Sequence, residues 1–313
     1  PSRKGHGVSA FLLEMNMEKV EVKRPDWTAL LESVLTEPGR LGDYYRAFHN
    51  YSLGNQAIAV EQLCARGIDI SPIASFNAWK EKGRSVMKGQ KAIALWMPIV
   101  LKGKSKGGEG EVGQGSEVII DGLPSRRIFV MRNNWFAFSQ TQPDPHGDAP
   151  SETPPVLPEI SWNKDQALAN LGITEEPFAH VDGNCQGFAR PTLKQIAVSP
   201  LAAFPFKSRF HELAHCLLHG TEDVEMVCGI DLAKDLKEAE AESTAFLCCA
   251  ALGLPGLAES RGYVQSWLSS TVSREQFKKS AGRVFSAADK ILKAGLIEIA
   301  PQDADTEKAT AEA

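Results

Sequence analysis

Two histidines and a glutamate set the chemistry this chain can do. Residues 206–220 read FKSRFHELAHCLLHG, an H-E-x-x-H run inside an apolar, helix-forming stretch. On a helix, His211 and His215 lie one turn apart on one face, so both imidazoles can grip a single ion. Glu212 lies ~100° around the same turn, near enough to take a proton from a water activated there. Phe210, Leu213, Ala214, Leu217 and Leu218 supply the buried side of that helix. An ion so held polarises a carbonyl and lowers the pKa of water toward ~7. Glu212 would then act as the catalytic base and hand the proton to the leaving amine. This is the chemistry of peptide hydrolysis. Zn2+ suits two histidines and a carboxylate, and Mn2+ or Co2+ could occupy the same ligands.

A mononuclear catalytic site needs a third protein ligand and an open position. The source is the run KEAEAESTAF at 237–246, about 25 residues on. Glu238 and Glu242 share a helix face, and Glu240 points elsewhere. Glu242 is the preferred ligand, with Glu238 as a partner orienting a histidine N–H or as the alternative ligand. His219 continues the face of His211 and His215, but would ligate only if the helix broke or bent before it. Cys216 points off that face and is expected to pack. Tyr263 could help an oxyanion, although a plain packing role suits it as well.

These residues need a helix over 207–219, stopped by Gly220, and a second long helix over 236–252. Helices are also expected at 163–171, 260–270 and 274–294, and a short strand at 195–199. The first part of the chain reads differently. Helices are expected at 27–35, 44–67 and 76–82, and strands at 92–101, 116–121, 127–131 and 135–138. The fold class is therefore α+β: an N-terminal α+β domain with a small antiparallel sheet, then a mostly helical, zincin-like domain. The proline-dense stretch 140–160 places the boundary. The expected organisation is a domain at 17–145, a linker at 146–160, a second domain at 161–300 and a disordered acidic tail at 301–313. The Gly- and Lys-rich run 103–116 reads as a loop. The first sixteen residues read as a tag remnant or upstream extension, with Met15 or Met17 as a natural start.

Composition narrows the setting. The chain has 313 residues, 43% hydrophobic and 23% charged, ordinary values for a globular protein. No apolar run approaches the ~18 residues of a membrane span. Six cysteines without a C-x-x-C pair fit a reduced, cytoplasmic location rather than a disulfide framework. The net charge of −5 is split: residues 1–140 carry 19 Lys+Arg against 14 Asp+Glu, residues 141–313 carry 15 against 25. A basic first half suggests a polyanionic partner.

The candidate surface for that partner is YYRAFHNYSLGNQ at 44–56 together with WKEKGRSVMKGQK at 79–91. Aromatic faces beside a cationic track are what single-stranded nucleic acid requires. Tyr45, His49, Tyr51, Asn55 and Trp79 are the candidates for base contacts, and Lys80, Lys82, Arg84, Lys88 and Lys91 for phosphates. Gly83 and Gly89 would let backbone N–H groups approach. On composition alone, a packed core with solvated lysines explains these residues better.

Longer motifs carry a family resemblance. FHNYSLGNQ at 48–56, RG at 66–67, FNAWKEKGRSVMKGQKAIALWMPI at 76–99 and NNWFAFSQTQ at 133–142 resemble the single-stranded-DNA-binding domain of ArdC-type antirestriction proteins of conjugative plasmids. HELAH at 211–215, EAEAESTAF at 238–246 and YVQSWL at 263–268 are similar to the metallopeptidase half of that family. HELAHCLLH and ESTAFLCCAALGLP are also similar to ImmA/IrrE-type metallopeptidases, a pattern that places the third ligand at Glu242. There Ala usually follows this glutamate, where this chain has Ser243. The resemblance implies a protein that binds single-stranded DNA, or duplex DNA, without strong sequence preference. It implies protection of incoming plasmid DNA from host restriction during conjugation. An alternative is a metallopeptidase that cleaves a specific regulatory protein recognised by the first domain.

Overall fold

The computed structural model describes residues 26–36, 39–102, 116–120, 123–145, 157–179, 185–220, 226–227, 235–269 and 271–299. The expected start, the 103–115 loop, most of the linker and the acidic tail lie outside them. In chain order the helices are α1 (Trp27–Thr36), α2 (Gly39–Phe48), α3 (Leu53–Ala65), α4 (Phe76–Glu81), α5 (Lys164–Leu171), α6 (Pro205–Leu218), α7 (Asp235–Leu252), α8 (Leu257–Ser269) and α9 (Thr271–Gly295). The strands are β1 (Ile73–Ser75), β2 (Arg84–Val86), β3 (Ile93–Lys102), β4 (Ser116–Ile120), β5 (Leu123–Ala137), β6 (Thr141–Pro143), β7 (Glu159–Trp162), β8 (Thr174–Glu175), β9 (Gly187–Arg190), β10 (Gln195–Val198), β11 (Met226–Val227) and β12 (Leu296–Ile299). The class is α+β, and no helix among the described residues is long and apolar enough to cross a membrane.

The chain divides into two compact units, 1–24 with 98–131, and 25–97 with 132–313. In the first, β4 and the start of β5 form an antiparallel hairpin that pairs Val118 with Ser125 and Ile120 with Leu123. The second holds the candidate metal site.

At the centre of the second unit runs α7, whose residues 239–251 are all buried. A helix buried all round is a core element rather than an amphipathic surface one. One continuous core joins Phe246, Leu247 and Cys248 of α7 to Leu31 of α1, Tyr45 of α2, Leu53 and Ile58 of α3, Phe210 of α6 and Phe285 of α9. Residues on both sides of the expected linker therefore share this core. Trp27 makes the close approach of α1 to its neighbours visible. A Cβ on Gly54 would sit 2.5 Å from its ring, and one on Gly282 3.1 Å from it. Glycine at position 54 leaves the room that the indole needs against α3, and Gly282 makes a tight but less demanding contact from α9.

The sheets are small. One has the order β1-β5-β3 with β4 on β5, and alternation along β5 sorts its side chains. Trp135 and Ala137 pack with Phe48 and Leu63, while Phe136 and Phe138 pack with Trp79. A second sheet has the order β11-β9-β10-β8, with β8 parallel to β10 and the other pairs antiparallel. It supports α6.

Two of the expected segments take a different form, and several short strands were not expected. The single helix expected at 44–67 is broken into α2 and α3 by a turn in which Tyr51 N–H donates to Phe48 O (2.8 Å). Ser52 then caps α3, accepting from Asn55 N–H, as serine does where backbone donors are orphaned. The strands expected at 127–131 and 135–138 are one continuous β5, because Arg132–Asn134 keep the extended backbone despite their polarity.

Candidate metal centre

The central segment of α6 is buried, from Arg209 through His215. Arg209 fixes this helix to β8 through a two-pronged pair with Glu175, at 3.0 and 2.9 Å, a geometry that matches guanidinium to carboxylate. Trp162 packs edge-on against Phe210, with ring centroids 4.8 Å apart.

With α6 so held, the Nε2 atoms of His211 and His215 approach to 3.1 Å. Glu238 of α7 completes a triangle, its carboxylate oxygens 3.2 Å from His211 Nε2 and 3.4 Å from His215 Nε2. Bonds of ~2.0–2.1 Å to a tetrahedral ion put neighbouring donor atoms about 3.3 Å apart. The three side chains thus fit one divalent ion, and they form the group among the described residues that could hold one.

Glu242 lies elsewhere. Its Oε2 is 2.9 Å from His211 Nδ1, the nitrogen turned away from the triangle. Its Oε1 is 2.7 Å from Lys207 Nζ. Relative to the expected assignment the two glutamates stand the other way round: Glu238 lies near both Nε2 atoms, and Glu242 meets His211 Nδ1. The contacts show why. Lys207 meets Glu242, His211 meets both glutamates, and His215 meets Glu238, so α6 and α7 run in opposite senses and their offset decides which glutamate faces the ion. Burial pushes the Glu242 carboxyl up, but the His211 hydrogen bond and charge, with Lys207, outweigh it and hold the group at about 2.

Glu212 is fully buried. It lies against β9, where a Cβ on Gly187 would meet Glu212 Oε1 at 2.8 Å and Ala197 O at 2.9 Å. Gly187 is thus the surface that admits this carboxylate, a role that spacing around the H-E-x-x-H run did not reveal. Cys216 packs as expected. Its Sγ faces Gln195 O, and burial, then the Glu212 charge, push its thiol up to about 12. Tyr263 is exposed on α8. His219 follows the last residue of α6, and its Nδ1 turns back to His215 Nδ1 at 3.0 Å, not to the triangle.

The residues expected to touch DNA separate into two groups. Tyr45 is 1% exposed and lies in the main core. His49 is buried between Arg46 O and the Glu298 carboxylate. Tyr51 is half-buried and donates to Ile73 O. Asn55 is buried and pairs with Trp96 as a strand would, accepting from its N–H (2.8 Å) and donating to its carbonyl (3.0 Å). Trp79 is 3% exposed and donates to Phe136 O. Arg84 is buried over the Phe138 ring and donates to Thr141. In these positions Tyr45, His49, Asn55, Trp79 and Arg84 are buried in the interior, and Tyr51 stays partly exposed. Lys80, Lys82, Lys88 and Lys91 are exposed. Gly83 and Gly89 have φ of 67° and 87°, so turn geometry accounts for them.

Two residues that spacing and composition did not single out join the lysines. Phe76 is 48% exposed and stands one turn before Lys80 on α4. Arg66 is exposed and donates to the carbonyls of Lys91 and Ala92, which anchors it beside the lysine loop. Helical spacing could have found Phe76, since positions i and i+4 share a face.

No protein-family model matches the sequence, and no curated protein matches it. Similar solved structures include the Mn(II)-bound antirestriction ArdC protein from the R388 plasmid, with 18% identity, a TM-score of 0.46, and coverage of 87% of this chain and 98% of that one. The metal-free structure of the same protein is similar at 18% identity and a TM-score of 0.41, covering 86% and 94%.

Proposed function

We propose that the chain is a metal-dependent peptidase of the H-E-x-x-H kind, using Zn2+ with Mn2+ or Co2+ as substitutes. The observation that carries this is the triangle of His211 Nε2, His215 Nε2 and Glu238, with sides of 3.1, 3.2 and 3.4 Å. The bound ion would supply Lewis acidity toward water and a carbonyl. Glu212, next to His211 on α6, takes the water proton and returns it to the leaving nitrogen. Its burial against Gly187 keeps it in one place for that transfer. The test is metal content plus cleavage of a broad peptide library by wild type and by Glu212→Gln. Cleavage that persists in Glu212→Gln, or a wild type that holds no metal, would sink the proposal.

The same reading includes antirestriction through single-stranded DNA, favoured by the motifs shared with ArdC-type proteins and by Phe76, Lys80, Lys82, Lys88 and Lys91 on the exterior. In this reading Phe76 would supply a stacking ring and the lysines phosphate-binding charges. Transfer of a conjugative plasmid into a restricting recipient, with and without this protein, tests the role. Equal transfer in both would remove it.

A further inference from the structure

Beyond the His211–Glu242 contact lies a second chain of buried polar groups. His215 Nδ1 is 3.0 Å from His219 Nδ1, and His219 Nε2 is 2.7 Å from Glu240 Oε2. The His219 and Glu240 side chains are each 4% exposed. A buried carboxylate is retained where donors satisfy it, and His219 is a donor here. Glu240 is the residue whose direction on α7 excluded it from the ligand face.

Donor and acceptor roles along this chain follow from its ends. Glu240 as a carboxylate accepts only, so His219 Nε2 carries the hydrogen. A neutral His219 then has a bare lone pair at Nδ1. Two facing nitrogens at 3.0 Å share one hydrogen, so it sits on His215 Nδ1. That leaves the lone pair of His215 on Nε2, the atom in the triangle with His211 and Glu238.

We infer that His219 and Glu240 are positioning residues for the metal centre: Glu240 fixes the tautomer of His219, and His219 fixes the tautomer and ring angle of His215. This rests on the metal-site reading above. The two ligand histidines are then held by different devices, His211 directly by a carboxylate and His215 through an intervening imidazole. The local cause is the end of α6. The helix stops at Leu218, and His219 adopts φ −122° and ψ 20°, which swings its ring back over the preceding turn.

The test uses the full chain and zinc alone. Zinc affinity is measured by chelator competition for wild type, His219→Phe, His219→Asn and Glu240→Gln, with a thermal melt of each metal-free protein. Loss of such an outer partner typically weakens metal binding ~10–100-fold, and His219→Phe is expected in that range. Glu240→Gln, which keeps shape and an acceptor, is expected to lose several-fold, and His219→Asn to recover part of the loss through its side-chain carbonyl. Nitrogen-15 spectra of the zinc-loaded wild type should show His219 protonated at Nε2 and His215 at Nδ1. Zinc affinities within twofold of wild type in both His219→Phe and Glu240→Gln overturn the inference, as does a proton on His219 Nδ1. Should His219→Phe fail to fold, Glu240→Gln and the spectra decide. A wild type that binds no zinc overturns the metal reading and this inference together, whereas tight wild-type binding unaffected by the variants overturns only the inference.

Discussion

His211 and Glu238 face each other across the α6–α7 interface, with Nε2 and Oε2 3.2 Å apart, while Glu242 reaches the opposite nitrogen of the same imidazole at 2.9 Å. One histidine thus touches two glutamates a helical turn apart, and only one of them faces the second histidine.

In the proposed metal site that geometry separates ligand from support. Glu238→Ala should abolish stoichiometric zinc binding measured by elemental analysis, as should His211→Ala. Glu242→Ala should retain zinc with affinity weakened ~10–100-fold. Reversed behaviour of the two glutamate variants would restore Glu242 as the ligand.

Glu212→Gln should bind zinc like wild type and lose at least ~100-fold in peptide cleavage, the usual scale for a general base. Gly187→Ala should impair the same step by another route. Its Cβ would sit 2.8 Å from Glu212 Oε1 and 2.9 Å from Ala197 O, and overpacking of this kind destabilises by about 1–3 kcal/mol. A Gly187→Ala protein with unchanged melting temperature and turnover would show that the space is not tight.

The proposed DNA surface can be separated from the core behind it. Changing Lys80, Lys82, Lys88 and Lys91 to glutamine should leave the melting temperature nearly unchanged. It should also flatten the salt dependence of single-strand binding by ~0.7 in log–log slope for each phosphate that is no longer neutralised. Phe76→Ala should weaken binding by about 1–3 kcal/mol if it stacks on a base. Trp79→Ala should instead unfold the protein more easily, by about 3–5 kcal/mol, as a buried tryptophan does. Gel shifts alongside thermal melts read both effects.

The acid limb of stability should carry the mark of Glu242. Its carboxyl, ordinarily near 4.5, is held at about 2 in the folded chain, where burial is outweighed by His211 and Lys207. A folded value below the unfolded one means the stabilisation is present above about 4.5 and is lost as pH falls toward about 2. In metal-free protein, the difference in unfolding free energy between wild type and Glu242→Gln should shrink across that window. A difference that stays constant with pH would contradict the assignment.

The helix that carries H-E-x-x-H was legible from spacing alone, because helical periodicity places His211, Glu212 and His215 whatever surrounds them. The same local rules brought the expected helices at 163–171 and 236–252 close to the observed α5 and α7. Which glutamate completes the triangle was not legible, because Glu238 and Glu242 share a face of α7 and only the offset of two antiparallel helices tells them apart. The same holds for the aromatic candidates. Tyr45 and Trp79 have the chemistry of a stacking platform, yet Tyr45 is enclosed by helices distant in the sequence and Trp79 by β5. Sequence determined the chemistry available to this chain, through residue type and local spacing. Tertiary packing decided which groups meet and which are sealed from solvent, because those outcomes depend on contacts between segments that no local period records.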